Sequence, residues 1–154
     1  MTDAIGVPFE VLSDVLSDPA AVLFGLEAEF GIQNAERTGP AAVKLIIEQT
    51  AREGPCPACG VFSSTVKDRP QVRIKDLPAF GQQVELWWRK RRLRCVEPLC
   101  ERWSFTQTCA AVKPRARMTE RLREKVASAI ARSNRPVTDV AAEYGVSWPT
   151  RTKP

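Results

Sequence analysis

Cys56-Pro57-Ala58-Cys59 and, after a gap of 35 residues that begins with Gly60, Cys95-Val96-Glu97-Pro98-Leu99-Cys100 decide how this chain is read. Each pair is spaced so that two thiolates grip one tetrahedral zinc ion, and together they make a four-thiolate set. Gly60 can take the positive φ that a tight metal knuckle needs, and Pro55 and Pro57 stiffen the approach. Two disulfides would require an oxidising compartment, and Met1-Thr2-Asp3-Ala4-Ile5 has no basic and apolar leader pattern. A redox pair at Cys56 and Cys59 should lie between a strand and a helix, whereas Ser63-Ser64-Thr65 and strand-like sequence follow it. Cys109 reads as a small buried hydrophobe, or as a ligand in place of Cys100. The expected cofactor is one structural Zn2+ held by Cys56, Cys59, Cys95 and Cys100.

The charge divides at the same place. The chain has 154 residues and a net charge of +5, but residues 1–54 sum to −6 and residues 55–154 to +11. The basic two thirds point to a polyanion partner, with solubilising surface charge as the bland alternative. The sequence contains no histidine, which excludes histidine-dependent triads, His-ligated zinc hydrolases and imidazole bases. A closed four-thiolate site holds structure rather than an open water, so no enzyme and no small-molecule substrate are expected. No apolar run is long enough for a membrane span, and a cytoplasmic, nucleoid-associated protein is expected.

Outward from the cysteines, the pattern predicts an α+β chain. A small zinc-stapled antiparallel β domain (21–110) follows an N-terminal helix or extension (1–20) and precedes a helix-turn-helix module (111–154). Phe9, Leu12, Val15 and Leu16 have helical spacing. Residues 21–35 read as a strand with glycine irregularities, Arg37–Pro40 as a turn, and Val43–Thr50 as a β-branched strand completing a hairpin. Gln71–Leu77 and Val84–Cys95 read as two more strands, whose pairing carries Cys95 back to Cys56. Arg102–Thr108 reads as a further short strand, with Trp103 and Phe105 in a small core over the metal. Lys113–Arg117 reads as an extended basic linker.

From Met118 the period becomes helical: Met118, Leu122, Val126 and Ile130 form one stripe, and Thr119 is the expected N-cap. A second helix is predicted from Thr138, as its cap, to Tyr144, stopped by Gly145. Ser147 would cap a third, with Pro149 in its first turn. Ala141 and Gly145 suit the close crossing of a helix-turn-helix, although a purely packing hairpin has the same look. Ser147, Trp148, Thr150 and Arg151 would then enter the major groove. The run Arg89, Lys90, Arg91, Arg92 and Arg94, with Arg115 and Arg117, supplies cations for phosphates. Some of those arginines could instead offset the −2 charge of a zinc tetrathiolate.

These parts, in this order, resemble the head of bacterial insertion-sequence transposases of the ISL-three type. The resemblance covers about residues 22–150 and rests on several runs. They are Cys56-Pro-Ala-Cys-Gly60, Val66-x-Asp-Arg69, Ile74-x-Asp-Leu-Pro78, Arg91-Arg-Leu-Arg-Cys95, Pro98-x-x-Glu-Arg-x-x-Phe105 and Gly145-Val-Ser-Trp-Pro-Thr150. It implies sequence-specific binding of double-stranded DNA at the element's terminal inverted repeats. The family's catalytic domain would follow the helix-turn-helix, and only Lys153-Pro154 follow Thr152, so a truncated, non-catalytic head is expected. The alternative is a zinc-ribbon interaction module, forming a homodimer or pairing with a full-length transposase. The family's histidine near Lys67 has no counterpart here.

Overall fold

The computed structural model describes residues 18–147. The expected helix around Phe9–Leu16 and the groove residues Trp148, Thr150 and Arg151 lie outside them.

In chain order the elements are α1 (Pro19–Phe24), β1 (Phe30–Gly39), β2 (Ala42–Gln49), β3 (Gly54–Pro55), β4 (Phe62–Ser63) and β5 (Val66–Asp68). They continue with β6 (Gln71–Ala79), β7 (Gln82–Arg89), β8 (Arg92–Arg94), β9 (Ser104–Thr106), α2 (Glu120–Arg132) and α3 (Val137–Glu143). The chain is therefore α+β: after the short α1, the sheets come first and the two longer helices last. The strand expected over 21–35 begins only at Phe30. Asp18 and Pro19 start a helix instead: Asp18 Oδ1 accepts the Ala20 N–H at 3.0 Å, its Oδ2 accepts the Ile32 N–H at 2.7 Å, and Pro19 needs no N–H in the first turn.

Two hairpins build the main sheet. The β1–β2 hairpin and the β6–β7 hairpin join through a parallel pair, giving the order β1-β2-β7-β6. The β domain is thus antiparallel except for its central β2–β7 pair. Its inner face carries Leu45, Ile47, Ile74, Leu86 and Trp88, covered by Phe30, Ala21, Leu26 and Val112. Phe30 meets Trp88 edge to face, ring centroids 5.4 Å apart. A second, small core of Cys56, Leu93 and Phe105 sits inside the β5-β8-β9 sheet.

The single strand expected over Val84–Cys95 is two strands in two sheets. Trp88 and Arg91 are both buried. A separation of three cannot put both on one side of a continuous pleat, so the chain breaks at Lys90–Arg91 and changes sheets.

The helices are fastened to the edge of β6. The Lys75 N–H donates to Arg117 O at 2.9 Å and the Thr119 N–H donates to Lys75 O at 3.0 Å. Lys113–Arg117 is therefore no extended linker: it turns at Pro114–Arg115, with Arg115 at φ +63°. Thr119 caps α2 as expected, accepting the Leu122 N–H at 3.3 Å. Thr138 does not cap α3; the cap position is Pro136, and Thr138 lies within the first turn. Gly145 ends that helix at φ +61°, and a Cβ there would meet Gln83 Oε1 at 2.5 Å. The left-handed conformation favours glycine, whereas the Gln83 amide is the far end of a flexible side chain and can give way.

Candidate metal centre and nucleic-acid interface

Two backbone knuckles present the thiols. In the first, the Cys56 N–H donates to Val61 O at 2.9 Å and the Gly60 N–H to Cys56 O at 2.8 Å, with Gly60 at φ +75°. In the second, the Cys95 N–H donates to Trp103 O at 3.1 Å and the Cys100 N–H to Glu97 O at 3.1 Å. The Arg102 N–H points at Cys100 Sγ, 3.4 Å away. The β5-β8-β9 sheet sets one knuckle against the other.

All four Sγ atoms lie within 4.8 Å of one another, Cys56 to Cys100 at 3.9 Å and Cys59 to Cys95 at 3.6 Å. A tetrahedron of sulfurs about 2.3 Å from a zinc ion has edges of about 3.8 Å. A disulfide would need about 2.05 Å, and all five cysteines are free. Donor type, number and spacing therefore fit one Zn2+. Burial raises the Cys56 thiol, but the N–H groups of Cys59 and Ala58 and the thiols of Cys59 and Cys95 outweigh it, bringing it down to about 7. The Glu97 N–H lowers Cys95, but burial and the three neighbouring thiols prevail and push it up to about 12. Such a cluster sheds its first proton easily and the next ones only against a cation. Cys109 stands apart: it packs against the main core, and burial pushes it up to about 11.

The cations separate into different roles. Arg89, Arg92, Arg94, Arg115 and Arg117 are exposed, Arg92 facing Asp68 at 3.8 Å. Ser147 is exposed at the last described position. Arg91 is withdrawn from any phosphate. It donates from Nη1 to the Gln49 and Ala51 carbonyls at 2.8 Å each and from Nη2 to Glu48 at 3.1 Å, tying the two sheets together. Lys90 lies over the Trp88 ring, 4.3 Å from its centroid, and lines a cavity with Arg115. Trp103 is not in the small core. It is 87% exposed, while Phe105 fills that core.

The sequence reading missed Asp76 and Arg121. Asp76 is 1% exposed and accepts from Thr119 Oγ1 at 2.7 Å and Arg121 Nε at 2.8 Å, with Arg121 Nη2 on its other oxygen. Arg121 also donates to Phe24 O and Gly25 O at 2.8 Å each. One carboxylate thus fixes the start of α2 to the sheet and, through Arg121, to α1. A signal was present: Asp76 shares strand phase with Val72 and Ile74, the apolar positions.

Comparison with known families agrees with this geometry. Residues 52–100 match the zinc-finger of transposase IS204/IS1001/IS1096/IS1165. Residues 106–150 match the helix-turn-helix domain of transposase family ISL3. No curated protein and no solved structure gives a match. The chain carries the zinc-ribbon and helix-turn-helix domains of an ISL3-family transposase, both of them non-catalytic parts, and its helix-turn-helix implies DNA binding. Among the described residues no helix is long and apolar enough to cross a membrane.

Proposed function

We propose that this chain recognises the terminal inverted repeats of an insertion sequence as double-stranded DNA and does so without cutting. Cys56, Cys59, Cys95 and Cys100 would hold one Zn2+, whose chemistry here is a structural cross-link between the two knuckles. The ribbon's own residues then set the cations. Leu93 anchors β8 in the small core, so its neighbours Arg92 and Arg94 face solvent. Ser147, Trp148, Thr150 and Arg151 would read base edges, while Arg89, Arg92, Arg94 and Arg117 would contact phosphates and set register without reading sequence.

The observation that supports this reading is the Asp76 clasp, which holds the start of α2 against the main sheet, while Arg91 ties that sheet to the ribbon; both units would then meet one duplex in fixed relation. The test is selection of duplexes from a random pool, followed by anisotropy titration of the selected sequence against a scrambled one. The expected result is a preference of about a thousandfold or more, with affinity falling steeply as salt rises. Equal affinity for both sequences would reduce the chain to a non-specific polyanion binder.

A further inference from the structure

Between the ribbon and the entry to α2 lies a cavity of about 220 Å³. Its lining includes Trp88 and Lys90 from the break after β7, Thr106, Gln107 and Thr108 from the end of β9, and Arg115 from the turn before α2. It contains two cations, two hydroxyls and no carboxylate. Neither Lys90 nor Arg115 forms an ion pair among the described residues. Trp88 is 1% exposed, and its indole N–H has no acceptor among the described residues. Such an orphaned buried donor is uncommon and costly. Gln107 Oε1 is also unpartnered, but it is one acceptor among five donor groups.

From this lining we infer that the cavity is a phosphate clamp, taking one backbone phosphodiester of the bound duplex between the zinc ribbon and the helix-turn-helix. This deepens the DNA-binding reading and rests on it. Size argues for the phosphodiester: 220 Å³ holds about seven waters at roughly 30 Å³ each. That lies below the ~300–1,000 Å³ of pockets for whole small molecules. Position argues for the duplex rather than free phosphate, because exposed Arg89 and Arg117 stand two or fewer residues from Lys90 and Arg115 along the chain. Burial lowers the Lys90 ammonium, as expected of a cation short of a counter-ion. The left-handed backbone of Arg115 is a cost that persists where the fold requires that side chain at that place.

The experiment uses the full zinc-loaded chain with Lys90→Met, which keeps the stem on Trp88, and Arg115→Gly, which suits φ +63°. Each change should lower the slope of log affinity against log salt by about 0.9, equally for any duplex sequence. Over a fourfold salt step that is a difference of about 3.5-fold. The double variant should lose no more slope than either single one, because both groups hold the same phosphate. The Trp88 indole N–H resonance, assigned with Trp87→Phe, Trp103→Phe and Trp148→Phe, should move on adding duplex but not on adding inorganic phosphate at equal phosphate concentration. An equal shift with inorganic phosphate would overturn the phosphodiester assignment. Unchanged slopes in both variants, with wild-type binding intact, would overturn the clamp alone. A wild-type chain that binds no duplex at any salt would overturn the function and the clamp together.

Discussion

Replacing Asp76 by alanine should loosen the helix-turn-helix from the sheet. Asp76 is fully buried and takes hydrogen bonds from Thr119 Oγ1 and from two nitrogens of Arg121. Its removal strands those donors and the Arg121 charge. Breaking a buried ion pair from one side costs about 3–5 kcal/mol. The Arg121 side chain is 33% exposed and keeps its bonds to Phe24 O and Gly25 O, so water recovers part of that. The expected loss is near the lower limit, about 3 kcal/mol, or a melting point lower by on the order of 10 °C. Urea unfolding of the zinc-loaded chain, followed by circular dichroism, measures it. A double-mutant cycle with Arg121→Met isolates the pair, and a coupling of about 1–3 kcal/mol is expected. A loss below about 0.5 kcal/mol, the range of ordinary surface changes, would refute the clasp.

Three further outcomes follow from burial and backbone geometry. Arg91→Met should destabilise the fold by about 2 kcal/mol, because two carbonyls and Glu48 lose their donor, yet leave the salt slope of DNA binding as in the wild type; a reduced slope would return Arg91 to the phosphate contacts. Trp103→Ala should change unfolding free energy by less than about 0.5 kcal/mol, whereas Phe105→Ala should cost about 3 kcal/mol or more; the reverse order in denaturant titrations would restore the expected Trp103 core. Gly145→Ala should cost about 1–3 kcal/mol from its positive φ, and a neutral effect on melting would contradict the tight turn after α3.

The metal knuckles were legible because spacing alone constrains them: two thiols with two to four residues between them have few other uses. The β1–β2 hairpin and the Thr119 cap were legible because period and capping chemistry are local. What escaped was non-local. Lys90 and Arg91 look like the middle of one cationic strand, and only the demand that Trp88 and Leu93 be buried in different cores breaks it. Arg91 reads as a phosphate ligand because nothing adjacent in sequence shows the Gln49 and Ala51 carbonyls it satisfies. Trp103 reads as core because aromatic residues usually are; of the two aromatics only Phe105 joins Cys56 and Leu93 there. Lys90 and Arg115 were each visible as cations, but their shared cavity appears only when the Pro114–Arg115 turn brings the chain back to β7.

The most direct measurement is the metal content and secondary structure of the purified chain, wild type beside Cys95→Ser. One zinc per wild-type chain is expected, with metal lost and the strand signal collapsed in the variant. A metal-free wild-type chain with an unaltered spectrum and melting point would contradict the thiolate staple on which the ribbon, the clasped helices and the DNA surface all depend.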